Sequence, residues 1–372
     1  MNLSSAGEPK VIALYLPQFH RVIENDMWWG EGFTEWTNTR KATPLFPGHY
    51  QPREPLNDFY YDLTDPDARK WQADIAKEHG VFGFCYYHYW FKGKMLLETP
   101  LNEVLRLGEP DFPFCLSWAN ETWSRRWNGA DQDILMAQEY GDEEDWKEHF
   151  DYLVQAFKDP RYICIDHKPL FTIYRAGDIP RYREMLSYWT ELAKQHGFEG
   201  IYFVETVSGR PPFKELDGFD ATFEFEPTYT LAWDRANRNE IIRQAPSYQN
   251  PKKSFHLYDY DGMWDRILKR NPDRGEKKTI LGAFVDWDNS ARVGERASAF
   301  TISDSTPKKF GNHMARQLER AKQIGSPFVF VNAWNEWAEG TYLEPDKKYG
   351  HGYLEELKRA VGQASGKKKQ PR

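Results

Sequence analysis

The chain has 372 residues, 28 % of them charged, and a formal net charge of -7. Lys and Arg are dispersed except in the terminal run Lys367 to Arg372, so there is no continuous basic surface for a nucleic-acid backbone. No segment approaches the roughly 18 uninterrupted apolar residues of a membrane span, and the first ten residues lack a signal-peptide core, which predicts a soluble, cytoplasmic protein.

Cys85, Cys115 and Cys164 are odd in number and lie in apolar runs, which reads as buried thiols rather than a disulfide framework. No Cys-His spacing suggests zinc. The 15 tryptophans are a surplus that a ligand or a core must cover, and the C-H faces of sugars suit such rings.

Val11 to Leu16 is an apolar run ended by Pro17, as in a strand buried on both faces. From Gln18 to Leu63 no helical period is visible, yet the stretch carries His20, Trp28, Trp29, Glu35 and Trp36, which reads as an ordered cap over a binding face. Asp65-Pro66 opens a helix that Gly80 stops, and a second strand runs from Val81 to Tyr87 into Tyr89. Thr99-Pro100 opens the next helix. A third strand, Phe112 to Ser117, empties into Trp118, Asn120, Glu121, Trp123 and Trp127.

Trp146, Phe150, Leu153 and Phe157 recur at helical spacing, Leu170 to Tyr174 reads as a strand, and Met185, Trp189 and Leu192 mark another helix. Strands are predicted at Ile201 to Glu205, at Ala221 to Phe225, at Ile280 to Val285 leading into Asp286-Trp287-Asp288, and at Phe328 to Val331 leading into Trp334, Asn335, Glu336, Trp337 and Glu339. Helices around Lys309 to Ile324 and through Tyr353, Leu357 and Val361 complete the chain. Strands alternating with helices in this number predict an α/β fold, a (β/α)8 TIM barrel with long substrate-binding loops, occupying residues 1–365 as one catalytic domain. Residues about 226–278 are expected as an insertion on the loop face and 366–372 as a disordered basic tail.

Glycosidic cleavage needs one group to protonate the leaving oxygen and another to act as base or nucleophile, and carboxyl groups do both. Two pairs satisfy the pattern: Glu336 with Glu339 from one strand end, or Glu121 with Glu336 from two. Both Glu121 and Glu336 follow an asparagine after an apolar strand. Loop rings at Trp28, Trp29, Trp36, Tyr87, Tyr89, Trp118, Trp123, Trp127, Trp287, Trp334 and Trp337, with His20, Glu35, Asn120, Asp286 and Asn335, are the substrate-binding candidates. Trp71, Trp146, Trp189 and Trp264 sit in helical segments and read as packing. Asp286-Trp287-Asp288 also has the form of a D-x-D metal-binding triplet of nucleotide-sugar transferases.

The strings A-L-Y-L-P-Q-F-H, N-D-M-W-W-G-E-G-F-T-E-W, H-Y-Q-P, G-F-C-Y-Y-H-Y-W-F, P-F-C-L-S-W-A-N-E-T-W and W-N-E-W-A-E-G resemble the WbsX-like family over most of the chain. That family is found in polysaccharide and O-antigen gene clusters and is similar to glycoside hydrolase family 99 through the barrel and the N-E-W-x-E-G string. The resemblance implies a retaining, endo-acting hydrolase of α-mannoside-like glycans working through a 1,2-anhydro sugar. In that scheme Glu336 deprotonates the 2-hydroxyl, and Glu339 protonates the leaving oxygen and later activates water. It implies no metal and no organic cofactor, and a polysaccharide or oligosaccharide as partner. Ala338 stands where family 99 commonly has histidine, which removes a substrate contact. A glycosyltransferase of polysaccharide assembly and a non-catalytic carbohydrate-binding protein are the alternatives.

Overall fold

A computed structural model describes residues 1–3, 7–125, 133–208, 216–233, 242–243, 255–271, 277–293 and 299–366. Eight strands form the barrel: β1 (Lys10–Tyr15), β2 (Val81–Phe91), β3 (Phe114–Trp118), β4 (Lys168–Ile173), β5 (Tyr202–Val207), β6 (Ala221–Glu224), β7 (Lys278–Phe284) and β8 (Phe328–Asn332). Every neighbouring pair is parallel, and the sheet closes where β8 meets β1, with Phe328 opposite Lys10, and where β3 meets β4, with Leu116 opposite Phe171. All eight predicted strands are therefore present, in a closed barrel. Their near-continuous burial follows from helices covering the outer face, so no strand alternates apolar with polar.

The outer helices are α1 (Pro66–Glu78), α2 (Thr99–Leu107), α3 (Glu143–Phe157), α4 (Tyr182–Gln195), α5 (Tyr260–Lys269), α6 (Pro307–Gln323) and α7 (Gly352–Ala364). Their ends are set by local chemistry: the Asp65 carboxylate accepts from the Asp67 N-H at 2.9 Å and Pro66 begins α1, and Thr306 with Pro307 does the same for α6. Trp146, Trp189 and Trp264 are buried where these helices meet the barrel, Trp264 stacked on Phe284 of β7 at 5.3 Å, while Trp71 is half-buried. The three cysteines are free and buried.

Three local expectations are corrected. The stretch after β1 carries two seven-residue helices, Ile23–Trp29 and Glu35–Lys41, too short for their period to stand out in the sequence. Strand β2 runs on to Phe91 and turns at Lys92-Gly93, both at positive φ, to pair with Lys94–Leu96. Within the stretch expected as an insertion lies α5, whose burial of Tyr260, Met263, Trp264 and Ile267 makes it a barrel helix. Outside the barrel, Phe255–Asp259 pairs with Ile242–Arg243 and with Ala299–Ser303 to form a small three-stranded sheet. The expected tail, Lys367 to Arg372, and Trp127 lie outside the described residues.

Candidate active site

Strand β8 delivers Asn335 and Glu336, which form a two-residue ladder with Thr341–Tyr342, and between them Trp337–Glu339 makes a single tight turn. Gly340 closes that turn at φ 65, and a Cβ there would lie 2.9 Å from the Asp288 Cβ, so both the backbone and its neighbours demand glycine. Asn335 fastens the loop to the end of β1: its side chain accepts from the Leu16 N-H at 2.8 Å and donates to the Leu16 carbonyl at 3.0 Å. The Glu339 carbonyl accepts from the Asp288 N-H at 2.7 Å, which ties the same loop to the one after β7.

Between these loops stands Arg292, from the short helix Ser290–Val293. Its Nη1 donates to Glu339 at 2.6 Å, its Nη2 to Glu336 at 2.7 Å, and its Nη2 and Nε to Glu35 at 2.5 and 3.1 Å. Three carboxylates, one from the helix Glu35–Lys41 after β1 and two from the loop after β8, thus converge on one guanidinium. Burial, opposed by Arg292 and helped by the neighbouring carboxylates, pushes the Glu336 carboxyl up to about 8, and Glu339 is raised for the same reasons. Tyr87 and Tyr89 on β2 face this cluster: burial raises both hydroxyls, and the Glu336 charge raises them further.

Glu121 lies near enough for its charge to raise Glu339, but it is clamped by Arg175, whose Nε donates to it at 2.8 Å. The structure therefore groups Glu336 with Glu339 on one cation and gives Glu121 a cation of its own. Asn120 is buried and occupied in joining β3 to β4, accepting from the Arg175 N-H at 2.7 Å and donating to the Arg175 carbonyl at 3.0 Å.

Other expected substrate contacts are built into the wall instead. Trp118 is buried and donates to the Trp90 carbonyl, Trp287 stacks on Phe300 at 5.3 Å, Trp334 packs on Phe84 at 5.0 Å, and Trp337 stacks on Tyr342 at 3.8 Å. Sugar stacking is corrected to core packing for these four, because strand-end indoles flanked by other rings bury against them. Trp36 is likewise buried, donating to the Tyr61 carbonyl at 2.9 Å. His20 is buried, with its Nδ1 3.0 Å from the Pro17 carbonyl. Trp28, Trp29 and Trp123 remain half-buried, Trp28 and Trp123 edge to face at 5.8 Å.

The D-x-D triplet is a scaffold. Asp286 pairs with Arg53 at 2.8 Å; Asp288 meets His49 at 2.8 Å and Gln51 at 2.6 Å. Burial would raise Asp288, but the His49 hydrogen bond and the Arg53 charge hold it well below the usual carboxylate range. Both carboxylates are committed to protein cations and donors, so the pair does not have the open oxygens a divalent metal needs.

Sequence reasoning missed Arg292 and Glu344. Arg292 sits in a polar stretch with no period, yet three carboxylates entering one barrel mouth require a cation, and that charge deficit was the available signal. Glu344 is buried behind the site, accepting from Tyr61 at 2.8 Å, Gln72 at 2.7 Å and Trp337 at 2.7 Å; burial pushes it up to about 7.

A closed parallel barrel with buried carboxylates on the loops after its strands is the architecture of TIM-barrel glycoside hydrolases. The fold matches the GH99 endo-alpha-mannosidase from Bacteroides thetaiotaomicron with a TM-score of 0.55 at 14 % identity, covering 96 % of this chain and 97 % of that one. It matches a structure described as a glycoside hydrolase-like protein with a TM-score of 0.56 at 14 % identity, covering 96 % and 95 %. The chain belongs to the family described as Glycosyltransferase WbsX, whose model matches residues 11–357. WxcX of Xanthomonas campestris pv. campestris, strain B100, is 34 % identical over 358 residues, which is 95 % of this chain and 50 % of WxcX. The chain thus spans about half the length of the curated relatives it matches. Among the described residues, no helix is long and apolar enough to cross a membrane.

Proposed function

We propose that the chain is a retaining, endo-acting glycoside hydrolase of a bacterial polysaccharide or O-antigen-type glycan, with Glu336 and Glu339 as its catalytic pair. The observation that carries this reading is the placement of both carboxyls on one guanidinium, buried at the barrel mouth, with both titrations displaced upward. Retaining cleavage needs one ionised and one protonated carboxyl at neutral pH, and a tightly coupled raised pair supplies that.

In the anhydro-sugar route that the family resemblance implies, Glu336 takes the proton of the 2-hydroxyl as O2 attacks the anomeric carbon. Glu339 gives its proton to the departing glycosidic oxygen. Glu339 then deprotonates a water that opens the three-membered ring, and Glu336 returns its proton to O2. Tyr87 and Tyr89, whose hydroxyls feel the Glu336 charge, are the proposed hydrogen-bonding partners of the sugar, and the half-buried Trp28, Trp29 and Trp123 the rings proposed for neighbouring units. Ala338 offers no hydrogen bond to a mannose, so the sugar itself is left to experiment.

A second reading, a glycosyltransferase, is favoured by the family's description. Product analysis by mass spectrometry separates the two. Wild type and Glu336→Gln are incubated with a panel of bacterial polysaccharides, without nucleotide sugars and with EDTA. Oligosaccharides released by wild type and reduced about 100-fold or more in the variant are expected. No release from any glycan, with turnover of a nucleotide sugar, overturns the hydrolase reading.

A further inference from the structure

Glu35 does not have the surroundings of a sugar ligand. It is 2 % exposed and opens the helix Glu35–Lys41, whose Thr34 and Thr37 cap each other reciprocally. Its N-H donates to the Gln18 carbonyl at 3.0 Å, and the adjacent Trp36 ring packs on Trp337 at 5.3 Å, so the helix is fixed against the loop that carries Glu336. From that seat Glu35 takes two N-H donors of Arg292, while Glu336 and Glu339 take one each.

We propose that Glu35 and Arg292 form a positioning pair that sets the pH range over which the Glu336–Glu339 pair carries a single proton. The inference rests on the hydrolase reading for its kinetic consequence and on geometry for its cause. One guanidinium cannot neutralise three buried carboxylates, and like charges this close do not all ionise. Glu35 draws the cation toward itself, which leaves the other two under-compensated and retains a proton on them. Among the described residues, the other groups facing the pair are Glu121 with its partner Arg175, and the hydroxyls of Tyr87, Tyr89 and Tyr174. Tyr89 also feels the Arg292 charge, whereas the Glu35 carboxylate is hydrogen-bonded to that guanidinium directly. Glu35 acts on the pair through its hydrogen bonds to Arg292, which holds both Glu336 and Glu339, and the two charges are opposite in sign.

The test is the pH profile of kcat/KM for oligosaccharide release by wild type, Glu35→Gln and Arg292→Gln. Removing the Glu35 charge is expected to move the bell about one pH unit toward acid, and removing the Arg292 charge to move it toward alkali by a similar amount. Glu35→Asp, which keeps the charge, is expected to return the bell toward wild type. Activity that falls in both variants while the bell stays in place overturns the proposal and makes the pair structural only. The same displacements are read without substrate by NMR titration of carboxyl-13C glutamate. Displaced carboxyl titrations in a chain that cleaves no glycan uphold the electrostatic pair and remove the hydrolase reading. Unmoved titrations overturn the pair whatever the turnover.

Discussion

Glu336 is buried to within 5 % of full coverage, its carboxyl is pushed up to about 8 against about 4.5 for an unhindered glutamate, and the proton so retained is shared with the raised Glu339. Above pH 4.5 the unfolded chain gives up a proton that the folded site keeps, so this residue makes the fold less stable as pH rises, levelling off beyond about 8. Glu344, pushed up to about 7, acts in the same direction over a narrower range. The opposite case is Asp288, whose lowered titration stabilises the fold above the usual aspartate range and is lost only in strong acid. Glu336→Gln keeps the side-chain shape without the charge. It is expected to be more stable than wild type at pH 9, by an amount on the order of 3 kcal/mol, and nearly equal to it at pH 5. Thermal unfolding at both pH values checks this: a difference that does not change between them would mean that the Glu336–Glu339 pair retains no extra proton in the folded protein. A residue proposed as catalytic whose removal strengthens the fold is what a like-charged buried site predicts.

The loops after β1, β7 and β8 act as one unit because each is tied to another by its backbone. Arg53 spans two of these ties, pairing with Asp286 and donating to the Gly340 carbonyl at 3.0 Å. Gly340→Ala places a methyl in a left-handed backbone position and within 3.0 Å of Asp288 and Arg53. A loss of about 2 kcal/mol or more is expected from backbone and contact together, read as a lower denaturation midpoint, with a larger relative fall in turnover because Glu339 is the preceding residue. A Gly340→Ala protein with an unchanged midpoint would show that the turn is not closed by Gly340. At this scale the sequence was legible where an element repeats its signal. Runs of four to seven mostly apolar residues predicted every barrel strand, and Asp65-Pro66 and Thr99-Pro100 marked helix starts. The helices Ile23–Trp29 and Glu35–Lys41 were not legible, since two turns give no period. The indoles misled because Trp118, Trp287, Trp334 and Trp337 follow strands as ligand-binding rings do. Whether such a ring faces a cavity or another ring depends on which loop crosses it, and that is settled only by partners hundreds of residues away, as when Trp36 meets Trp337.

At the level of the whole molecule, charge bears on the kind of glycan that the proposed hydrolase would accept. The chain carries a net charge of -7, and at the barrel mouth Glu35, Glu121, Glu336 and Glu339 are hydrogen-bonded to Arg175 and Arg292, two cations to four carboxyls among the described residues. Both arginines are already paired with these carboxylates, so neither is set out to receive an acidic sugar. A low-dielectric cleft concentrates such an imbalance, and a substrate carboxylate brought beside the pair would meet like charge at short range. The expectation is a neutral glycan around the cleaved bond. It is checked by comparing native uronate-containing polysaccharides with their carboxyl-reduced forms, which differ by charge and little else. The reduced forms should be cleaved with kcat/KM about tenfold higher or more, equivalent to about 1.4 kcal/mol. Because the charges are buried, added salt should narrow that preference only in part. Preference for the uronate form would mean that Arg292 or Arg175 leaves its carboxylate partners to bind the substrate's acid. The guanidinium that now holds Glu336 and Glu339 together would then have to be assigned to recognition instead.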